Sequence, residues 1–253
     1  MTGHSPAFRS GLAAIKRGEI LVPPLRAYLS NPDFKGFTIE VPPFEKRDPD
    51  GWFHPSTHPL WPERALWLYL VVPEMLTEEP MEHSNVLALT AGTIWHAIIE
   101  HALMKLGLVD AVEVHFSDAH SLSKGSADGV RQEQLIEIKT MKLELMRKIT
   151  SPEDYIAAHP VYYAQALEYM RLSGYRSERV LLMSLTFPYE MREFVIDFNL
   201  ADSQAIANKY RGVIQDAADG RVPMCEGCSG FCPAKALCKS PNAQQILEGV
   251  RRG

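Results

Sequence analysis

Two carboxylates and a lysine are spaced in a way that suits hydrolysis of a phosphodiester. Glu137 and Lys139 are separated by one residue, and Asp128 lies nine residues before Glu137. On a strand, side chains alternate between faces, so Glu137 and Lys139 would share one face while Ile136 and Ile138 enter the core from the other. A turn between Asp128 and Glu137 would then bring the two carboxylates side by side on neighbouring strands.

Adjacent carboxylates repel each other unless a cation lies between them. Mg²⁺ and Mn²⁺ are the natural occupants, because hard divalent ions prefer oxygen ligands. Lys139 can hold or deprotonate an attacking water beside such an ion, or offset the charge that builds on a phosphate. The pattern therefore predicts metal-dependent phosphodiester hydrolysis. The same residues also fit an ordinary exposed strand with a Glu–Lys pair and an aspartate in a turn.

Two further pairs of polar residues flank this segment. His96 and Glu100 lie one turn apart in a helix predicted over 90–106, and Gln165 and Tyr169 lie one turn apart in a helix predicted over 160–173. His96 is a candidate metal ligand, and a histidine with ordinary structural hydrogen bonds is the alternative. Gln165 and Tyr169 also fit an ordinary amphipathic helix.

All four cysteines of the chain lie close together near its C-terminus, at Cys225, Cys228, Cys232 and Cys238. Such clustering in a chain without an apolar secretory segment at its start favours a metal site over disulfides. Four thiolates can bind one Zn²⁺ or hold one 4Fe-4S cluster. Either group would be structural and would hold the C-terminal segment in place.

These elements, taken in order, resemble one family. They are G-x-x-x-H at Gly92–His96, G-x-x-D-G at Gly125–Gly129, an apolar-E-x-K segment ending at Lys139, Q-x-x-x-Y at Gln165–Tyr169, and the C-terminal cysteines. This order resembles the RecB-like branch of the PD-(D/E)XK nucleases, which includes CRISPR-associated and phage RecB-like exonucleases. The pattern runs from Gly92 to Cys238, over half the chain.

The resemblance implies a role for each matched position. The implied metal ligands are His96, Asp128, Glu137 and the backbone carbonyl of Ile138. Lys139 would be the catalytic lysine, and Gln165 and Tyr169 would contact the DNA strand. An imidazole ligand favours Mn²⁺ over Mg²⁺, and Glu100 is a weaker candidate for a metal role.

The cysteine segment 232–238 looks like that of the iron–sulfur members of the family. In many of those proteins the first cysteine lies far upstream, before the motif histidine. In the comparable region here, 56–64, Trp61 stands in its place. Cys225 would supply the missing ligand locally, and a 4Fe-4S cluster is favoured over zinc.

The elements that must position these residues follow from periodicity and turn signals. We predict helices over 64–72, 90–106, 160–173 and 201–218, and strands over 111–116, 126–130, 134–140, 179–187 and 191–198, with a polar connection over 78–85. This order predicts an α/β fold: a restriction-endonuclease-like PD-(D/E)XK core, with a mixed central sheet flanked by helices and a small cysteine-bound metal appendage. The expected division is a proline-rich arm over 1–85, the core over 86–220, and the cysteine segment over 221–253.

The composition bounds the partners. The 253 residues carry a net charge of −5, which argues against nucleic-acid binding by bulk electrostatics but allows a local basic channel. The candidates to line such a channel are Lys142, Arg147, Lys148, Arg171, Arg176 and Arg179. There is no run of eighteen apolar residues and no apolar secretory core at the start, so we expect a cytoplasmic protein without a membrane partner.

The function predicted from these features is that of a metal-dependent DNA exonuclease. Its substrate would be single-stranded DNA or DNA ends, in recombination, repair or phage DNA processing, and the family resemblance implies products with 5′-phosphate and 3′-hydroxyl ends. An endonuclease of the same superfamily and a non-catalytic zinc or iron–sulfur module that binds nucleic acid are the alternatives. Polarity and pathway are not encoded in these motifs, and a homo-oligomer is compatible with them.

Overall fold

A five-stranded mixed sheet forms the centre of the fold, with strand order β1-β2-β3-β4-β5. The computed structural model describes residues 18–31, 49–76, 83–224, 232–240, 242–243, 247 and 249. The strands are β1 (Ala111–Asp118), β2 (Ser123–Arg131), β3 (Gln134–Met141), β4 (Ser177–Ser184) and β5 (Met191–Asp197). The β3–β4 pair is parallel and the other three pairs are antiparallel.

Helices cover both faces of the sheet, as predicted for an α/β fold. They are α1 (Val22–Leu29), α2 (Glu63–Val71), α3 (His83–Lys105), α4 (Leu143–Lys148), α5 (Pro152–Ala158), α6 (Pro160–Ser173), α7 (Leu200–Ala218) and α8 (Lys235–Lys239). Helices α4, α5 and α6 form the crossover that joins the parallel strands β3 and β4.

The sheet separates two apolar cores. Leu135, Val180 and Leu182 pack on one face against α2, α6 and α7. Ile136 and Ile138 pack on the other face against α1 and α3, and both are fully buried. The alternation predicted along β3 is therefore confirmed, because its isoleucines enter the core on the side opposite Glu137 and Lys139.

The β1–β2 pair changes face in its middle, which corrects one prediction. The sequence pattern predicts that Val112, Val114 and Phe116 share one face of β1. Val114 and Phe116 do pack in the α6 core, but Val112 packs in the α3 core. Glu113, between the two valines, has a φ of 50°, a left-handed conformation that reverses the alternation of side chains.

Several helix boundaries differ from the predicted ones. Helix α3 begins at His83, so the predicted polar connection is wrong over 83–85. The sequence pattern does not predict helices α4 and α5; α5 begins with a capping box in which Ser151 and Asp154 exchange hydrogen bonds. Helix α6 matches its prediction, since Gly174 adopts the left-handed conformation (φ 77°) that ends a helix.

Helix α3 is long and apolar enough, by length and composition, to cross a membrane. Its second half packs on the sheet and buries Ile99, Ala102 and Leu103, as the core helix of a globular domain does. This packing accounts for the apolar residues of its second half, whereas Leu87 and Leu89 in its first half are exposed. The predicted division at residues 85 and 220 stays a prediction.

Candidate active site

The candidate site lies in a gap between β2 and β3. Their backbone pairing covers only Gly129–Arg131 with Gln134–Ile136, and beyond it the strands separate. Asp128 and Ile138 lie on the two sides of this gap, and the Ile138 backbone N–H donates to Asp128 Oδ2 at 2.6 Å. A carboxylate thus takes the place of a backbone acceptor where the ladder ends.

Glu137 is a buried acid with one unsatisfied oxygen. Its Oε1 accepts hydrogen bonds from Lys139 Nζ at 2.5 Å and from Gln165 Nε2 at 2.9 Å. Its Oε2 is buried and has no hydrogen-bond partner among the residues the structure describes. Burial, reinforced by the charge of Asp128, raises the pKa of Glu137 to about 7. An orphaned carboxylate oxygen of this kind is costly unless a proton or a cation satisfies it.

Lys139 is held as a cation beside this acid. Burial alone would lower the pKa of Lys139, but the charges of Glu137 and Asp128 raise it overall. Its Nζ also donates to Gln165 Oε1 at 3.1 Å and lies 4.7 Å from the centre of the Tyr162 ring. Tyr162 is a residue of the site that the motifs do not contain; its signal in the sequence is its place three residues before Gln165, on the same face of α6.

Helix α3 brings a histidine and a second acid to Asp128. His96 Nδ1 lies 3.6 Å from Asp128 Oδ2. One ligand atom each from His96, Glu100 and Asp128 lie within 4.8 Å of one another, the distance at which one ion can be shared. Among the described residues, the predicted ligand Glu137 is not part of this triple, and Glu100, the weaker candidate, is its third member.

The electrostatics of this triple also favour a cation. Burial, followed by the charge of Asp128, raises the pKa of Glu100 to about 7. Burial alone would lower the pKa of His96, but the nearby Asp128 carboxylate raises it overall. Three acids, Glu100, Asp128 and Glu137, thus lie around the gap together with His96. Among the described residues, Lys139 is the cation that contacts Glu137.

Gln165 and Tyr169 are both buried, with exposed fractions of 5% and 4%. The side-chain amide of Gln165 joins Glu137 to Lys139, as described above. Tyr169 packs so closely on β2 that a Cβ added to Gly125 would lie 2.7 Å from its ring. Their predicted contact with a DNA strand stays a prediction.

The glycines of the two matched motifs have a steric explanation. A Cβ on Gly92 would lie 3.1 Å from Thr140 Oγ1, at the end of β3. A Cβ on Gly125 would also lie 3.0 Å from Pro55 Cδ. Gly92 therefore lets α3 approach β3 closely, and this approach brings His96, one turn further along α3, to the gap.

Two of the cations predicted to line a channel are instead bound inside the protein. Arg171 donates to Asp118 Oδ2 at 2.8 Å and to the fully buried Glu168 at 3.0 Å. Arg179 donates to the backbone carbonyl of Gly18 at 3.1 Å. Both arginines are committed to structural contacts, while Lys142, Arg147 and Lys148 lie exposed on α4 and its N-cap.

Only part of the cysteine cluster is described. Cys225 and Cys228 lie outside the described residues, Cys232 is buried and Cys238 is half-buried. Arg64, from the region in which the resemblance predicts an upstream cysteine, lies 3.7 Å from Cys238 Sγ. That region therefore does lie beside the cysteine segment, and the predicted cluster stays a prediction.

Comparison with known proteins gives no family match. No family model matches the chain, and no curated protein matches it. A solved structure described as SSO0001 is 15% identical, with a TM-score of 0.43, and the match covers 87% of this chain and 94% of that chain.

Two structures described as exonucleases are also similar. The alkaline exonuclease LHK-Exo from Laribacter hongkongensis is 16% identical, with a TM-score of 0.42, over 67% of this chain and 89% of that chain. A phage-related exonuclease from Haemophilus somnus 129PT is 11% identical, with a TM-score of 0.40, over 62% and 79%. At these values the similarity assigns neither family nor activity, so a function must rest on the residues of the site.

Proposed function

We propose that this protein is a divalent-metal-dependent deoxyribonuclease with a PD-(D/E)XK centre of the RecB-like type. One observation carries the proposal: the buried Glu137, which feels the charge of Asp128, has one unsatisfied oxygen, and its other oxygen contacts a lysine held as a cation. Two acids and a lysine in this relation are what in-line hydrolysis of a phosphodiester requires.

The donor atoms around the gap fit a hard divalent ion. Asp128, Glu137 and His96 would hold it, with Glu100 as a further ligand. The N–H and C=O of a strand residue point to the same side; since the N–H of Ile138 meets Asp128, its carbonyl opens toward the same gap. When bound, the ion supplies positive charge that makes a water more acidic and offsets charge on the phosphate.

The residues of the chain divide the remaining work. Lys139, as a cation, donates hydrogen bonds to the attacking water or to the phosphate, where charge increases during the reaction. Gln165 holds both Lys139 and Glu137 by its amide, so it fixes their separation before the substrate arrives. The Tyr162 ring stabilises the charge of Lys139 by a cation–π contact.

The substrate proposed is DNA that is single-stranded or has free ends, with products that carry 5′-phosphate and 3′-hydroxyl groups. An endonuclease with the same centre would perform the same chemistry, because only the shape of the DNA path differs. Circular single-stranded DNA separates the two. An exonuclease leaves the circle intact, whereas an endonuclease opens it.

A second part of the proposal concerns the cysteines. Cys225, Cys228, Cys232 and Cys238 would hold a structural 4Fe-4S cluster, with zinc as the alternative. A non-catalytic nucleic-acid-binding module built on these cysteines is the competing function. That module predicts DNA binding that survives Asp128→Ala but not Cys225→Ser.

Hydrolysis of labelled DNA with added divalent ions tests the proposal. We expect degradation with Mn²⁺, slower degradation with Mg²⁺, and none in the presence of a chelator. Products that carry 3′-phosphate ends would contradict the proposed direction of attack. Full activity in the chelator would contradict a metal-dependent centre.

A further inference from the structure

Two aromatic side chains project into solvent from the loop between β4 and β5. Phe187 is 84% exposed and Tyr189 is 53% exposed. Their ring centres lie 6.4 Å apart, with the planes nearly perpendicular at 88°. Tyr189 in turn lies 5.5 Å from the ring of Trp95, the residue before His96 on α3. Aromatic rings exposed together at a loop tip do not contribute the stabilisation that burial would give, so their exposure points to a role outside the core.

The loop that carries these rings is firmly supported. Ser184 is fully buried, and its hydroxyl lies 3.1 Å from the backbone oxygens of both Thr186 and Pro188. The same hydroxyl accepts a hydrogen bond from the Glu190 N–H at 2.8 Å. Glu190 also binds Arg147 of α4 at 2.6 Å. The rings therefore extend from an ordered loop, and little conformational entropy would be lost on binding.

The loop lies at the end of the sheet that carries the proposed catalytic lysine. The Leu185 N–H donates to the backbone oxygen of Met141 at 2.9 Å, and Met141 is two residues beyond Lys139 on β3. Since β3 and β4 are parallel, their C-terminal ends lie side by side. Lys139 is near this end of β3, and the loop follows the same end of β4. The exposed cations Lys142 and Lys148 belong to the neighbouring α4 segment, to which Arg147 ties the loop.

We propose that Phe187 and Tyr189 form a stacking platform for the bases of single-stranded DNA next to the catalytic centre. Aromatic faces combined with nearby cations suit a single strand, because the rings stack on bases while the cations follow the phosphates. Every base has a π-face, so the platform binds without strong sequence preference. This inference rests on the proposed nuclease function and deepens it by naming the form of the substrate.

Binding without hydrolysis tests the platform. The full-length protein is titrated, in a chelator, into a fluorescent oligothymidine and into an abasic strand of equal length, and fluorescence anisotropy is recorded. We expect the double variant Phe187→Ala/Tyr189→Ala to bind oligothymidine roughly tenfold more weakly. Its affinity for the abasic strand should be unchanged, because that strand has no bases to stack.

Matched variants separate stacking from lost apolar area. Phe187→Trp should keep the affinity for oligothymidine, and Phe187→Leu should weaken it, because leucine has no aromatic face. Leu200→Ala is the control: Leu200 is 60% exposed and begins α7, beyond the far end of β5. It should bind like the unchanged protein. Equal melting temperatures would show that all of these variants fold.

The outcomes distinguish the platform from the nuclease. If the double variant binds oligothymidine as tightly as the unchanged protein, the platform is wrong, whether or not DNA is hydrolysed. The same holds if the variant changes only the sedimentation of the protein, since the rings would then contact a second copy of the chain. If DNA binding requires the rings but no divalent ion supports hydrolysis, the platform stands and the nuclease proposal fails.

Discussion

The Ile138 backbone N–H donates to the Asp128 carboxylate at 2.6 Å, across the gap at which β2 and β3 separate. A side chain thus takes over from the backbone ladder, which ends at Gly129 and Ile136. This single contact fixes the position of Asp128 relative to β3, and therefore relative to Glu137, the residue before Ile138. The fold therefore holds the two acids near each other before any ion binds, and the folding free energy opposes part of their mutual repulsion.

Gln165→Ala is expected to impair catalysis without unfolding the protein. Its amide is hydrogen-bonded to both Glu137 and Lys139. Loss of a partner that orients a metal ligand costs roughly 10- to 100-fold in metal affinity or activity. The turnover number and the Mn²⁺ concentration for half-maximal rate should be measured separately. Gln204→Ala, an exposed glutamine of α7, is the control and should have no effect. Unchanged kinetics for Gln165→Ala would exclude the positioning role.

The approach of α3 to β3 can be tested through Gly92 and Thr140. A Cβ at position 92 would lie 3.1 Å from Thr140 Oγ1, so Gly92→Ala should cost stability in the presence of threonine. With Thr140→Ala the contact is removed, and the higher helix propensity of alanine, about 1 kcal/mol over glycine, should appear instead. Chemical unfolding of the four proteins gives the coupling free energy. Simple additivity would contradict the close approach.

Arg171→Ala is expected to destabilise the fold rather than to weaken DNA binding. Arg171 is the charged partner of Glu168, which is fully buried, so its removal leaves an uncompensated acid that costs about 3–5 kcal/mol. Urea unfolding measures the loss, and Arg211→Ala, at an exposed position of α7, is the control. If Arg171→Ala keeps full stability but binds DNA more weakly, the arginine belongs to the DNA path after all.

The cysteine cluster predicts a bound metal and a particular response to its loss. Protein purified without oxygen should contain about four iron atoms and as much sulfide per chain, whereas about one zinc would establish the alternative. Cys232→Ser and Cys238→Ser should each lose the metal and lower the melting temperature. Protein that contains neither metal, with unchanged stability in both variants, would contradict a structural cluster.

Much of the local structure could be predicted because it depends on short-range periodicity. Ile136 and Ile138 enter one core while Glu137 and Lys139 face the other side, as alternation on a strand requires. Helix α6 ends before Gly174, which adopts the positive φ that glycine tolerates more readily than other residues. The mixed sheet flanked by helices follows from the order of such elements.

The rest depends on contacts that no local pattern contains. The positive φ of Glu113 occurs in a residue that rarely adopts it, so the change of face in β1 has no signature in the sequence. Glu100 joins His96 and Asp128 only because α3 crosses the sheet at Gly92. The spacing of Tyr162 and Gln165 places both on one face of α6, but the contact of Tyr162 with Lys139 depends on how that face packs on β3. Each of these depends on how helices pack on the sheet.

Digestion of end-labelled linear single-stranded DNA with Mn²⁺ tests the central claim most directly. The unchanged protein is compared with Asp128→Asn, which keeps the shape of the side chain but removes the charge a cation needs. Asp197→Asn, at an exposed position at the end of β5, is the control. We predict that the unchanged protein and the control degrade the strand and that Asp128→Asn does not. Equal degradation by all three proteins, or by none with any divalent ion, would contradict a nuclease centre at Asp128 and Glu137.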